Sequence, residues 1–348
     1  MPARPDTPRI LRTAAAATLG GFVAALLHIP LPWMIGALAA TATLAWNGHA
    51  AVPPWARPAA LIVLGLGFGQ TFDGPVLAAL LASLPAILGA GVLSILVGLA
   101  VTPLFRRMAR TDARTGFFCS VPGGVIVMAV LAQRAGASVP TVTLAQTMRV
   151  LVVVLIFPPL LAIAAPQDGS SLFTAPRLPF DGAGLGLLLA AGIVTAFLVR
   201  LTGIANPWMM GPCVLAIGLS AGGWLPSGVP LDLVNAAQVA MGASLGLRMT
   251  REFIMGARRL VLAALATAML LSALLTGVAV VLAWWAELPV AAVVLGMAPG
   301  GMPEMAVTAK ALDLAVPLVL SFHLARTVLC NLILAPLWRL LAALGFGR

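Results

Sequence analysis

Glu304 is a carboxylate set in apolar sequence, with Ala291-Ala292-Val293-Val294-Leu295-Gly296-Met297 before it and Met305-Ala306-Val307 after it. The segment leading into it is Pro299-Gly300-Gly301-Met302-Pro303. Paired prolines and glycines interrupt a helix. Pro303-Glu304 then reads as the next helix start, since proline suits the first helical position and a carboxylate suits the positive end of the dipole. The expected object is a broken helix with an acid at the break. Such an acid can couple transport to an ion, taking up a proton or Na+ as burial and neighbours tune it. The plainer role is to neutralise a nearby arginine, and Arg326 is the candidate.

Arg149 and Arg326 each sit about ten residues or more from either end of an apolar run, on the order of 15 Å at the helical rise. That is beyond the reach of a snorkelling side chain. Intramembrane arginines face a cavity or a partner. These two would either hold an anion or solute carboxylate, or cap carbonyls freed at a break. Gln146 and His323 lie three residues before them and share their helix faces. His323 is a proton relay or a hydrogen-bonded packing histidine. The glycine pairs Gly123-Gly124 and Gly300-Gly301 can turn backbone amides toward a ligand, as half-helix N-termini do in transporters. Their alternative use is close helix packing, which Gly65-x-Gly67-x-Gly69 also fits. No metal site and no catalytic group is expected. Cys119, Cys213 and Cys330 are scattered, as are His28, His49 and His323, whereas a copper or iron oxygenase needs several ligands close together. No cofactor is expected, and the coupling ion would be H+ or Na+.

The elements that must position these groups are membrane helices. The chain has 348 residues, 61% hydrophobic and 9% charged, where a soluble domain is about a quarter charged. Apolar runs of spanning length recur, at residues 11–28, 56–72, 76–105, 139–165 and 260–286 among others, with a shorter one at 33–46. The expected class is an all-α polytopic membrane protein in the lipid bilayer. The formal charge of +10 is best read as arginines at helix ends, following the positive-inside rule. The polar gap from Gln167 to Asp181 is too short for a DNA-binding module, so direct nucleic-acid contact is not expected. Arg4, Arg9 and Arg12 put the N-terminus in the cytoplasm. No cleavable signal pattern precedes the first run. Trp33 and Trp208 read as interfacial anchors.

The second half of the chain repeats the first. Pro207-Trp208-Met209-x-Gly211 answers Pro32-Trp33-Met34-x-Gly36 at an offset of 175. Gly242 and Gly246 answer Gly65 and Gly69 at 177, as Pro299-Gly300-Gly301 answers Pro122-Gly123-Gly124 and Arg326 answers Arg149. Matched Pro, Gly, Trp and Arg at constant offset carry weight that matched Leu or Ala would not. The chain divides into a first membrane repeat, 1–170, and a second, 171–348. Arginine placement sets the topology. Arg57, Arg106 to Arg114, Arg248 to Arg259, Arg339 and Arg348 all fall inside only if each half crosses an odd number of times. Halves of odd parity are inverted repeats, with the Pro-Gly-Gly segments re-entrant or half-spanning and about ten spans in all.

Pro-Trp-Met-x-Gly and Pro-Gly-Gly, each twice and followed by an arginine, resemble the AbrB-type duplicated bacterial membrane protein family over nearly the whole chain. Members carry the labels ammonia monooxygenase and regulator of gene expression. The family is similar in layout to cation–proton antiporter and anion-transporter superfamilies, which use inverted repeats and crossed broken helices. The resemblance implies a bacterial inner-membrane, multi-pass protein. Two functions follow: a secondary-transporter-like protein for a small, anionic solute, a homo-oligomer as an option, or a membrane regulator of gene expression acting through a partner. Val127 stands where the second copy has Glu304, so any role for that acid belongs to one half.

Overall fold

The structure, a computed structural model, describes residues 7–164, 179–202 and 206–343. The polar gap from Gln167 lies almost wholly outside them, as do Arg4 and Arg348. The described residues form sixteen helices and no strand. The first half gives α1 (Thr7–Leu26), α2 (Pro32–Trp46), α3 (Ala56–Gly69), α4 (Gly74–Ala82), α5 (Leu84–Ala109), α6 (Ala113–Ser120), α7 (Val125–Arg134) and α8 (Val139–Ala164). The second gives α9 (Gly182–Leu201), α10 (Pro207–Ala221), α11 (Leu231–Gly246), α12 (Arg251–Met255), α13 (Arg258–Trp285), α14 (Val290–Met297), α15 (Met302–Ala311) and α16 (Val316–Ala343). Eight helices therefore recur in the same order, each in register with its counterpart to within a few residues.

Among the described residues six helices, α1, α5, α8, α9, α13 and α16, are long and apolar enough to cross a membrane, and α3 with α4, bent by 88°, would make a seventh. Leu11, Leu19, Phe22 and Leu26 are exposed on α1, an apolar outer face of the kind lipid covers. These features are consistent with a polytopic helical membrane protein. The run expected over 76–105 is divided at Ser83, because Pro85 in the first turn of α5 supplies no amide and its ring excludes the carbonyl four residues back. The pieces flanking the two breaks, α6, α7, α14 and α15, have 8 to 10 residues each. None spans a bilayer by itself.

The contacts gather the chain into two compact units that cut across the two sequence halves. One comprises Met1–Ala78 with Ser171–Gly256, the other Ala79–Ser170 with Ala257–Arg348.

In the first unit the repeated Pro-Trp-Met-x-Gly motif sets helix approach. A Cβ on Gly36 would strike the Gly20 carbonyl of α1, and one on Gly211 would strike the Thr195 carbonyl of α9. The glycine ladders do the same: Gly65 and Gly69 lie against the Met209 and Cys213 carbonyls, Gly242 and Gly246 against those of Met34 and Leu38. Small residues let the backbones come together where lipid offers no hydrophobic drive. Trp33 packs over Gly21. Trp208 stacks edge-on to Phe197 at 5.2 Å, with Arg200 5.7 Å above its ring.

In the second unit α5 and α13 are counterparts that run antiparallel. Arg259, in the first turn of α13, donates from Nε to the Met108 carbonyl near the end of α5 at 2.7 Å. Val101 and Phe105 share a small cavity wall with Ala264, Ala268 and Leu271. α5, α8, α13 and α16 flank the short helices of both breaks.

Candidate functional site

Each Pro-Gly-Gly segment separates two short helices. α6 ends at Ser120 and α7 begins after Gly124; α14 ends at Met297 and α15 begins after Gly301. The backbone is extended at the N-cap residues Gly124 and Gly301, which have no side chain to cap the next helix, so the N-cap residue itself leaves the first amides uncapped. Pro303 is the second residue of α15 rather than its first, and Glu304 the third, because the helix already starts at Met302. Met128 folds over Gly123, where a Cβ would collide with it, and Met305 lies over Gly300, where a Cβ would be crowded by it and by Val153.

The breaks free carbonyls at the ends of α6 and α14, and the arginines take them. Arg149, on α8, donates from one terminal nitrogen to Val121 O at 3.2 Å and from the other to Gly123 O at 2.8 Å. Its Nε reaches across to Pro299 O, at the other break, at 2.7 Å. Arg326, on α16, donates to Ala298 O at 2.8 Å and Gly300 O at 3.2 Å. Each Val121, Gly123 bond recurs 177 residues later as Ala298, Gly300. The capping alternative is therefore the one the arginine hydrogen bonds follow. A planar guanidinium serves several carbonyls at once, which a lysine ammonium does not.

Gln146 and His323 occupy equivalent places and do equivalent things. Gln146 Nε2 donates to Phe118 O at 2.7 Å, and His323 Nε2 pairs with Leu295 O at 3.2 Å. Arg326 also contacts His323 Nδ1 at 2.8 Å. An arginine is only a donor, so Nδ1 accepts and Nε2 carries the proton given to Leu295. With both nitrogens engaged, His323 holds Arg326 and α14 in place, and a relay role would require one bond to open.

Glu304 lies in the first turn of α15 with its carboxylate folded back over Gly301, where a Cβ would meet Oε2. Fractional exposures are 0% for Gln146, 3% for Arg149, 1% for Glu304, 1% for His323 and 6% for Arg326. The arrangement thus joins two helix N-termini, two capped C-termini and one carboxylate inside the second unit.

Two further groups belong to this site. Cys330 Sγ contacts Pro122 O at 3.4 Å, the carbonyl equivalent to the Pro299 O that Arg149 holds. Cys330 follows Arg326 by one turn, so its helical face was readable from the i, i+4 spacing; its target was not. Ser120 Oγ is buried without a hydrogen-bond partner. It lines a cavity of about 10 Å3 with Arg149, Thr267 and Cys119, room for about one water.

Outside the membrane helices, Asp112 caps α6, accepting from the Thr115 amide at 3.2 Å. Partial burial pushes its carboxyl up, but hydrogen bonds from the Thr115 hydroxyl and amide and neighbouring amides outweigh this and hold it below its ordinary value.

A family profile described as transition state regulatory protein AbrB matches residues 33–342. The chain belongs to this AbrB family. It is 29% identical over 357 residues to "Uncharacterized protein YhjN" of Bacillus subtilis (strain 168), covering 94% of this chain and 91% of that one. It is 25% identical over 311 residues to "Putative regulator AbrB" of Escherichia coli (strain K12), covering 88% of each.

Proposed function

We propose that the chain is a secondary-transporter-like protein of the bacterial inner membrane, moving a small anionic solute through the second compact unit. The observation that carries this reading is Arg149, one buried guanidinium hydrogen-bonded to carbonyls of both breaks. Two half-helix N-termini beside one another, near the middle of long spans, are the means by which transporters bind ions and anions away from water. The solute would meet the amides at Gly123-Gly124 and Gly300-Gly301, with Arg149 and Arg326 supplying positive field and Gln146 and His323 holding them. Glu304 would be the ion-coupling group for H+ or Na+. The antiparallel course of α5 and α13 supports inverted repeats, with about ten crossings once the broken and bent segments are counted. The N-terminus would be cytoplasmic.

Flux tests the transport reading. Purified protein in proteoliposomes should move a labelled small carboxylate or inorganic anion, driven by an imposed H+ or Na+ gradient. Gradient-independent leak equal to empty liposomes across a panel of such anions would defeat it. The inversion has its own test. Arg110 and Glu287 are equivalent, exposed and both left-handed. Single cysteines there, with the native cysteines removed, should label from opposite sides of the membrane; labelling from the same side rejects inverted repeats. A regulator acting through a partner is the second reading. It rests on the names of the family and of the E. coli relative, and is compatible with transport if the partner reads the transport state.

A further inference from the structure

The end of α5 holds a pocket that the proposed transport site does not use. It has a volume of about 320 Å3 and is lined by Pro103, Arg106, Arg107 and Thr111. Two polar atoms there are buried without a hydrogen-bond partner, Arg106 Nε and Thr111 Oγ1. A buried donor left unmet is costly, more so when charged. The Arg106 stem lies packed over Gly116, where a Cβ would collide with its Cγ, which holds the first part of the side chain against the protein. Arg107 is exposed beside it. Arg259 is brought to this end of α5 by its bond to Met108 O, adding positive charge. The nearby acid, Asp112, is turned to the amide of Thr115.

Three donor groups on one pocket, two of them guanidinium, match a phosphate group, whose oxygens accept several charge-assisted bonds. The position favours a lipid as its bearer. Leu84 to Phe105 covers about 33 Å of helix at 1.5 Å per residue, close to the hydrocarbon thickness. Arg106 and Arg107 therefore fall at headgroup level. Leu88, Val92, Leu96 and Leu104 are exposed along α5 and lead to the pocket, spaced so that acyl chains could lie on them. We infer that this pocket binds the phosphate of an anionic phospholipid headgroup.

The test uses the full-length protein in neutral detergent and its melting temperature. Dioctanoyl phosphatidylglycerol should raise the wild-type value by about 3 °C or more at saturation, as a ligand of the folded state does. Arg107→Gln and Thr111→Val should lose at least half of that shift, while Arg134→Gln, a basic residue elsewhere, keeps it. Arg107 is exposed and its variant should melt near wild type without lipid. A full shift retained in both pocket variants, or the same shift from dioctanoyl phosphatidylcholine, overturns the site. Inorganic phosphate separates the sources. No shift from it alone supports the lipid, whereas a shift lost in the same variants keeps the phosphate site and assigns it to soluble phosphate.

Discussion

The two breaks share a scaffold and differ in their chemistry. Around each, an arginine on a long helix caps carbonyls two residues apart, a polar side chain three residues earlier takes the carbonyl one turn back, and a methionine covers the first glycine. The differences lie at equivalent positions. Glu304 replaces Val127, His323 replaces Gln146, and Met297 replaces Ser120. Gly124 is exposed, while Gly301 is half-buried beneath the Glu304 carboxylate. Each break presents a helix N-terminus, and a carboxylate lies over only one. On the transport reading, the first break keeps its positive end for the solute and the second uses its own for the coupling ion.

The largest expected effect tests that division. Glu304→Gln keeps size and hydrogen-bonding capacity without the charge. The protein should fold, insert and bind solute, but gradient-driven flux should fall by about tenfold or more and lose its dependence on pH or Na+, as expected when a titrating intramembrane acid is removed. A structural Glu304 predicts something else: a lower unliganded melting temperature in Glu304→Gln, with the pH or Na+ dependence of flux unchanged. That outcome would remove the coupling role.

Next come the arginines. Arg149 serves both breaks and Arg326 one, so Arg149→Ala should be the more damaging. Orphaned buried carbonyls cost roughly 1–3 kcal/mol each, which puts Arg149→Ala at about 3 kcal/mol or more; Arg326→Ala should fall below it because its third carbonyl, Met297 O, lies at 3.4 Å, against 2.7 Å for the Arg149 bond to Pro299 O. Thermal unfolding without ligand reads the difference. Equal losses would mean that the bond to Pro299 O contributes little. If the arginines act mainly on solute, each variant should instead lose ligand-induced stabilisation more than unliganded stability.

The smallest effect concerns how the breaks are approached. α6 has Asp112 as its cap, while α14 is preceded by Pro289 at the N-cap position, with no side-chain cap. Asp112→Ala should cost about 1 kcal/mol. The Asp112 carboxyl is held below its ordinary value, so its contribution is complete above the unfolded carboxyl pKa and fades as pH falls through the lower folded one. Acid titration of stability should therefore be shallower in Asp112→Asn, which keeps a capping oxygen that does not protonate. An identical acid limb in both proteins would count against the cap.

The sequence made the helices and the repeat legible because Pro, Gly, Trp and Arg are constrained by backbone geometry and by the bilayer, and so stay at constant offset. It left the partners of those helices unread. An apolar face of Leu and Ala is equally suited to several neighbours, so nothing in residues 1–170 reveals that they divide between two compact units. The division at Ser83 was hidden in an unbroken apolar run, although Pro85 marked it. For Arg149 and Arg326 the sequence posed capping against anion binding without choosing, since carbonyl targets belong to the backbone and leave no trace in residue type. The partner of Cys330 was unreadable for the same reason: Pro122 O is a backbone carbonyl 208 residues away.

The interleaving of the two units has a consequence for biosynthesis. Each unit takes its second stretch from beyond residue 170, so neither can close while the ribosome is still in the first half. The nascent chain must wait in the bilayer with the faces of α2, α3, α5 and α8 unmatched, and the unit containing both breaks is completed only by the last stretch to be inserted. Long-range closure of this kind slows folding and prolongs exposure to wrong partners. A chain halted after α8 would be expected to reach the membrane and there become a substrate for quality-control proteolysis.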